Sequence, residues 1–237
     1  LATTLNNLLD QVENNIQNIR QFSQNASHEL KSPLILITAE LEQMRHKLKD
    51  NSYSDGFYHI QHEVERMAKI IDSLLTLVKI DSKQLKLKKQ TVWLNDLLFE
   101  EIVRYRSKIN QKDIKINSNQ IQSISMKGDP YWLSVLFSNL IDNAIKYTKI
   151  NTTITLYLSK SSFDTILFWI ADNGPGVKED KLKLLTKRFY REQPKPDISG
   201  SGLGLSIVEW IVSSHNGKMA IENTENGGLK VFIKFPI

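Results

Sequence analysis

Through residues 1–80 apolar side chains recur every three or four positions, interrupted by a single proline, Pro33, and a single glycine, Gly56. Leu1, Leu5, Leu8, Val12, Ile16, Ile19 and Phe22 step by 4, 3, 4, 4, 3 and 3, which predicts a helix with one apolar seam. After the polar run 50–56 a second seam follows through Ile60, Val64, Met67, Ile70 or Ile71, Leu74, Leu75 and Val78. Two long amphipathic helices joined by a short loop predict an antiparallel hairpin. A helix of ~45–50 residues is ~70 Å long at 1.5 Å per residue. With one stripe per helix, such a hairpin has little of its own to bury against, so pairing with a second copy into a four-helix bundle is expected.

The period changes after Asp81. A basic stretch over 83–89 leads into Thr91-Val92-Trp93-Leu94-Asn95-Asp96, which reads as a strand end and then a helix cap. Short β-type runs at 114–116 and 124–126, and alternating β-branched runs at 154–158 and 166–171, predict strands; a helix is predicted over 131–147. A loop region rich in Gly, Pro and Lys fills 172–203, and a helix follows over about 203–215. Strands at 218–222 and 229–235 close as a hairpin through Asn226-Gly227-Gly228. The chain therefore reads as α+β: a helical hairpin over 1–82, and over 83–237 a domain with a mixed, mostly antiparallel sheet.

Composition narrows the classes. With 41% hydrophobic and 24% charged residues among 237, the chain is an ordinary globular one, too apolar for wholesale disorder. Zero cysteines exclude disulfide scaffolds, cysteine nucleophiles and thiolate zinc sites together. No apolar run approaches the ~18 residues that a membrane span needs. Leu1-Ala2-Thr3-Thr4 has neither a basic stretch nor an initiator Met, so a signal peptide is not expected and the chain reads as an excised fragment. The net charge of +5 suits a nucleic-acid partner, but Lys and Glu are interspersed, which reads as a solvated lysine-rich surface.

Three elements carry chemistry. Asp172-Asn173-Gly174-Pro175-Gly176 follows an apolar strand and sets a carboxylate beside a backbone that a flat ligand can approach; alone it is also an ordinary turn. Gly200-Ser201-Gly202-Leu203-Gly204-Leu205 enters a helix with exposed N–H groups at its positive end, which suits a polyphosphate, although such loops are common. Without βαβ units around it, this is not the dinucleotide fingerprint. Third, Asn139, Asn143, Lys146 and Tyr147 fall at i, i+4, i+7 and i+8, on one face of a helix that is otherwise apolar. Two amides and a lysine there can hold a cation and phosphate oxygens, with Tyr147 beside a base, or can make helix–helix hydrogen bonds.

In this order and spacing the three elements resemble the ATP-binding domain of sensor histidine kinases, within the wider GHKL group of ATPases and kinases. The resemblance covers essentially the whole chain. Phe22-Ser23-Gln24-Asn25-Ala26-Ser27-His28-Glu29-Leu30-Lys31-Ser32-Pro33-Leu34 resembles the family's phosphoacceptor box, and Asn139 to Tyr147 its N box. Asp172 to Gly176 is similar to the first glycine box, Arg188-Phe189-Tyr190-Arg191 to the F box, and Gly200 to Leu205 to the second glycine box. The fold it implies is a dimeric four-helix bundle followed by a Bergerat-type α/β sandwich.

The resemblance implies ATP and Mg²⁺ as the groups bound. His28 would take the γ-phosphoryl group, and Glu29 would accept the proton from the other imidazole nitrogen. His46, His59, His62 and His215 lack that context and read as surface or packing residues. Asn143 would coordinate Mg²⁺, Lys146 would meet the phosphates with Asn139 in support, and Tyr147 would flank the base. Asp172 would accept the adenine amine, with Gly174 and Gly176 letting the base close in. A lid over about 173–203 would bring Lys187, Arg188 and Arg191 to the triphosphate, and Gly200, Gly202, Leu203 and Gly204 would bind ATP as the second glycine box. Implied partners are a second copy of the chain and a response-regulator receiver with an acceptor aspartate. No nucleic acid is implied, and membrane attachment comes through segments absent from this chain, the cytoplasmic portion of a bacterial inner-membrane sensor.

Two departures from the family pattern stand out. Thr186 occupies a position where the F box usually carries Phe, which weakens aromatic docking of the lid. Ser32, four residues after His28, replaces the usual Thr or Asn, keeping a hydroxyl for dephosphorylating the partner but losing a methyl group. Two other functions compete. An ATP-hydrolysing relative would place a carboxylate, able to activate water, where Asn139 stands. A non-catalytic adaptor would have lost some of His28, Asn143, Asp172 and the glycines, and none is lost.

Overall fold

Seven-residue spacing sets the core of the N-terminal part: Leu34 and Leu41 are buried together with Val64, Ile71 and Leu75, and Ala68 packs against them. The computed structural model describes residues 34–35, 37–39, 41–42, 44, 54–82, 85–161, 164–192, 201–225 and 227–237. The chain divides into two units between Lys86 and Leu87. In the first, helical residues between 34 and 44 meet helix α1 (Ser54–Asp81). The seam from Leu1 to Phe22, and with it His28, Glu29 and Ser32, lies outside the described residues. Along α1 the expected seam splits: Val64, Ile71 and Leu75 are buried, whereas Ile60 and Met67 are 51% and 46% exposed. Leu77, off the seam, is buried as well.

In the second unit alternation does most of the work. β4 (Thr153–Ser161) and β5 (Thr165–Ala171) each bury every second residue. In register, Leu156 faces Ile170 and Leu158 faces Phe168. β7 (Leu229–Pro236) continues the apolar layer through Val231, Ile233 and Phe235. β6 (Lys218–Asn223) and β2 (Lys115–Ile121) complete a five-stranded sheet of order β2-β4-β5-β7-β6, antiparallel except for the parallel β2–β4 pair. β1 (Gln90–Trp93) and β3 (Ser125–Gly128) form a separate antiparallel ladder.

The helices are α2 (Leu94–Arg104), α3 (Arg106–Gln111), α4 (Pro130–Tyr147) and α5 (Gly204–Ser214), with a 3₁₀ turn over Glu179–Leu184. α4 brings Leu133, Leu136, Phe137, Leu140 and Ile141 into the core, and its Phe137 meets Phe168 of the sheet edge-on at 5.1 Å. Trp132 of α4 and Trp210 of α5 meet likewise at 5.0 Å. On the opposite face of the sheet Tyr157 stacks on Trp169, with the Lys230 ammonium 4.8 Å from the Trp169 ring.

Local chemistry fixes where α4 begins. Asp129 is its N-cap, accepting the N–H groups of Tyr131 and Trp132, and Pro130 supplies the first helical residue. α2 begins differently from the expected cap. Trp93 is the N-cap without a side-chain bond, while Asn95 Oδ1 accepts the Ile124 N–H at 3.2 Å and so ties α2 to the residue before β3. β2 outruns its expected three residues because polar Asn117, Ser118, Asn119 and Gln120 extend it along an edge, where backbone pairing rather than apolar alternation defines the strand.

Candidate functional site

Asp172 directly follows β5 and is held from the facing strand. Its N–H donates to the Leu229 carbonyl at 3.0 Å, and the Leu229 N–H returns to Asp172 Oδ1 at 3.2 Å. The Gly174 N–H donates to the same oxygen at 2.8 Å. Both side-chain bonds converge on Oδ1; Oδ2 accepts neither. The residue is only 7% exposed, and burial raises its carboxyl pKa above the ordinary range, against the two N–H donors that lower it. A buried carboxylate with one oxygen anchored is a directed acceptor for a donor on a flat ligand.

Missing side chains let the backbone pack closely around Asp172. A Cβ on Gly174 would fall 2.8 Å from Asp172 Oδ1 and 2.8 Å from the Tyr147 carbonyl oxygen, so the first glycine loop lies against the end of α4. Gly176 has a positive φ of 70°, and a Cβ there would lie 2.9 Å from Asn223 Oδ1. Gly228, at φ 100°, has no room at all: a Cβ would sit 1.9 Å from the Asp172 carbonyl oxygen.

On α4, Asn139, Asn143 and Lys146 are half-buried and Tyr147 is 38% exposed. Asn139 Nδ2 turns back to the Val135 carbonyl at 2.8 Å, and its Oδ1 would be 2.7 Å from a Cβ on Gly204. The second glycine segment therefore enters α5 directly against the amide face of α4. Lys146 pairs with Asp142 one turn back, and Asp142 also takes Lys108 at 3.3 Å. These cations hold the Asp142 carboxyl below its usual range in spite of its burial.

Leu203 is fully buried beneath the second glycine segment. At the F-box-like segment the Phe189 N–H donates to the Gly202 carbonyl at 3.0 Å, and a Cβ on Gly202 would strike the Phe189 and Tyr190 backbone at 2.7 and 2.8 Å. Phe189 itself is exposed at φ 63°. Lys187 and Arg188 are exposed and Arg191 is half-buried, while Gly200 lies outside the described residues. The Tyr190 hydroxyl donates to Glu192, which pushes its pKa up to about 12.

The structure thus joins Asp172, Gly174 and Tyr147 at one end of α4, and Asn139 and Gly204 nearer its middle. It turns the Asn139 amide nitrogen onto its own helix and the Lys146 ammonium onto Asp142. It also shows a residue the sequence reading passed over. Asn223 Oδ1 accepts the Val177 N–H at 2.9 Å and its Nδ2 donates to the Val177 carbonyl at 2.7 Å, a two-point clamp just beyond Gly176. The signal available in the sequence is the Asn-Gly-Gly turn, which reads as a plain hairpin closure although its Gly228 backs the Asp172 carbonyl. His215 is a packing residue, as expected. Its Nδ1 donates to the Ile211 carbonyl at 2.8 Å and its Nε2 accepts the Asp129 N–H at 3.0 Å, which defines one neutral tautomer.

Two family profiles match the chain. Residues 18–83 match the His Kinase A (phospho-acceptor) domain, and residues 128–237 match the Histidine kinase-, DNA gyrase B-, and HSP90-like ATPase family. The chain is 32% identical over 240 residues to the signal transduction histidine-protein kinase BaeS of Escherichia coli (strain K12), covering 100% of this chain and 51% of that protein. It is 29% identical over 223 residues to the sensor protein kinase WalK of Staphylococcus haemolyticus (strain JCSC1435), covering 92% of this chain and 36% of that one. The chain thus spans about half the length of the first relative. Among solved structures, full-length ShkA in complex with AMPPNP resembles it in fold, with a TM-score of 0.74 at 20% identity over 91% of this chain and 45% of that one.

Proposed function

We propose, for a chain that belongs to the sensor histidine kinase family, that it transfers the γ-phosphoryl group of ATP to its own His28 and from there to an aspartate of a response regulator. The observation that carries this reading is the convergence on α4 of segments far apart in sequence: Asp172 and Gly174 against Tyr147, and Gly204 against Asn139. Asp172 suits an adenine amine because it is buried and both N–H donors fall on Oδ1, which leaves Oδ2 as the acceptor for a ligand. Residues 1–82 are proposed as the dimerisation and phosphoacceptor hairpin, and 83–237 as the catalytic domain with its lid over about 173–203.

In this reading Asp172 Oδ2 accepts the adenine amine, Gly174 and Gly176 admit the ring, and Tyr147 flanks it. Gly202, Leu203 and Gly204 are assigned to the phosphates at the start of α5, where the Leu203 N–H donates to Ser201 Oγ at 3.3 Å. Lys146, Lys187, Arg188 and Arg191 are assigned to the triphosphate charge. The Asn143 amide oxygen is a hard ligand suited to Mg²⁺, and one protein ligand is enough for an ion that takes the rest from phosphates and water. Bound there, Mg²⁺ would neutralise phosphate charge. One nitrogen of neutral His28 forms the N–P bond as the bond from phosphorus to the β,γ-bridging oxygen breaks. That electron pair leaves on ADP, and the proton of the other nitrogen passes to Glu29. The Ser32 hydroxyl is proposed to orient a water that hydrolyses the phosphoaspartate of the response regulator. Exposed Ile35, Ile37, Met44, Ile60 and Met67 support burial of the hairpin against a second copy. No described helix is long and apolar enough to cross a membrane; placement as the cytoplasmic part of a bacterial membrane sensor rests on the relatives' sensor names.

The test is incubation of the chain with labelled ATP and Mg²⁺, beside His28→Gln. The expected label is acid-labile, on the wild type alone, with nucleotide binding equal in both. An acid-stable label would overturn the assignment of His28 as acceptor, and rapid, equal phosphate release from both proteins would replace this reading with hydrolysis.

A further inference from the structure

We propose that Lys112 is a positioning residue for the nucleotide, acting through the last turn of α4; the inference rests on the nucleotide reading of that helix face. α4 ends without a glycine cap. Thr148 closes it in an extended conformation, φ −67° and ψ 142°, so no left-handed residue folds the chain back over the final carbonyls. The Thr148 N–H takes the Ala144 carbonyl at 3.0 Å. The Lys112 ammonium takes the carbonyls of Ile145 at 2.6 Å, Lys146 at 3.1 Å and Thr148 at 3.3 Å. An ammonium has three N–H donors, and each meets one oxygen. It also sets a full positive charge at the negative end of the helix.

Lys112 is well fixed to do this. It is the C-cap of α3, its N–H donating to the Lys108 carbonyl at 3.3 Å, and its own carbonyl accepts the Asn151 N–H at 2.9 Å. Asp113 turns the corner at φ 50°, and the Lys115 N–H reaches the Thr152 carbonyl at 2.8 Å. One turn earlier on α3, Lys108 grips Asp142, the carboxylate that also holds Lys146. α3 therefore holds the C-terminal half of α4 by two successive lysines. The last turn so held bears Lys146 and Tyr147, and its Tyr147 carbonyl abuts Gly174. Removing the ammonium strips partners from carbonyls 145, 146 and 148 and lets that turn fray where the glycine loop leans on it.

The test uses the full chain with Lys112→Met, which keeps the stem and removes the charge, and Lys112→Arg, which restores a cation. A fluorescent ATP analogue gives Kd, autophosphorylation gives KM and kcat, and hydrogen exchange reads the amides of Tyr147 and Thr148. For Lys112→Met the expected result is Kd and KM for ATP raised about 10-fold, which is ~1.4 kcal/mol. We expect kcat within about 2-fold, faster exchange at 147–148, and recovery of most of the affinity in Lys112→Arg. Unchanged Kd and KM in Lys112→Met, or a loss that tracks the fraction unfolded and is equal in Lys112→Arg, would overturn the role. Should Lys112→Met melt below the assay temperature, Lys112→Gln is read by the same criteria. Absence of ATP binding by the wild type would instead overturn the nucleotide reading itself, a separate result.

Discussion

Replacing Asp172 by Asn changes one atom in the cradle. Oδ1 can go on accepting the Gly174 and Leu229 N–H groups at 2.8 and 3.2 Å, so the loop keeps its anchor. The outer atom becomes an NH₂ that faces the adenine amine donor to donor. A charge-assisted hydrogen bond in a closed pocket is worth roughly 1.5–3 kcal/mol, so ATP affinity should fall about 10–150-fold. Without nucleotide the variant should be as stable as wild type or more so, since it no longer buries a charge. The acid side gives a second reading. Burial raises the carboxyl pKa in the folded chain above 3.8. As pH falls through that raised value the native state takes up the proton before the unfolded one does, so the nucleotide-free fold gains stability down to the ordinary range. ATP affinity should decline over the same window, and the decline should be missing in Asp172→Asn. Titration of a fluorescent ATP analogue across pH, with melting curves of both apo proteins, measures each quantity. Equal affinity in the two proteins, or an apo variant that melts far below wild type, would refute this account of Asp172.

Two further outcomes follow from packing. Gly228→Ala puts a methyl group 1.9 Å from the Asp172 carbonyl oxygen at a φ of 100°; it should cost at least ~2 kcal/mol and weaken ATP binding as Asp172 shifts. Urea unfolding followed by tryptophan fluorescence checks it, because all four tryptophans, Trp93, Trp132, Trp169 and Trp210, lie in the C-terminal unit. His215 has its pKa lowered, chiefly by burial and also by Lys89, against the Ile211 carbonyl and Asp129, which raise it. Its contribution is therefore complete above pH 6.5 and lost as pH falls from there toward the folded value, when protonation removes the acceptor for the Asp129 N–H. The melting temperature should drop over that window in the wild type, and by less in His215→Gln.

The parts legible in the sequence are those with a period or a backbone requirement. β4, β5 and α4 announce themselves because a half-buried strand alternates and an apolar helix repeats at three and four. The face of Asn139, Asn143, Lys146 and Tyr147 stands out because polar residues interrupt that repeat. The glycines of both loops are legible because little else fits there. Hidden from view are side chains that bond distant backbone: Asn223 on Val177 and Lys112 on the end of α4 leave no periodic trace. The turn of the Asn139 amide onto Val135 is equally hidden, since a helical face does not specify which way an amide points. α1 shows a related limit, as a single seam cannot separate the stripe that meets its own hairpin from exposed positions such as Ile60 and Met67.

β7 is the last strand in chain order yet lies inside the sheet, between β5 and β6. Asp172 therefore leaves the ribosome 57 residues before Leu229, the residue that anchors its carboxylate. Until 229–236 emerges, β5 has an open edge and β6 has no neighbour to pair with. In a chain made from its N-terminus the ladder that fixes Asp172 therefore forms only after 229–236 has been made, and on the nucleotide reading ATP affinity should appear with it rather than with β5.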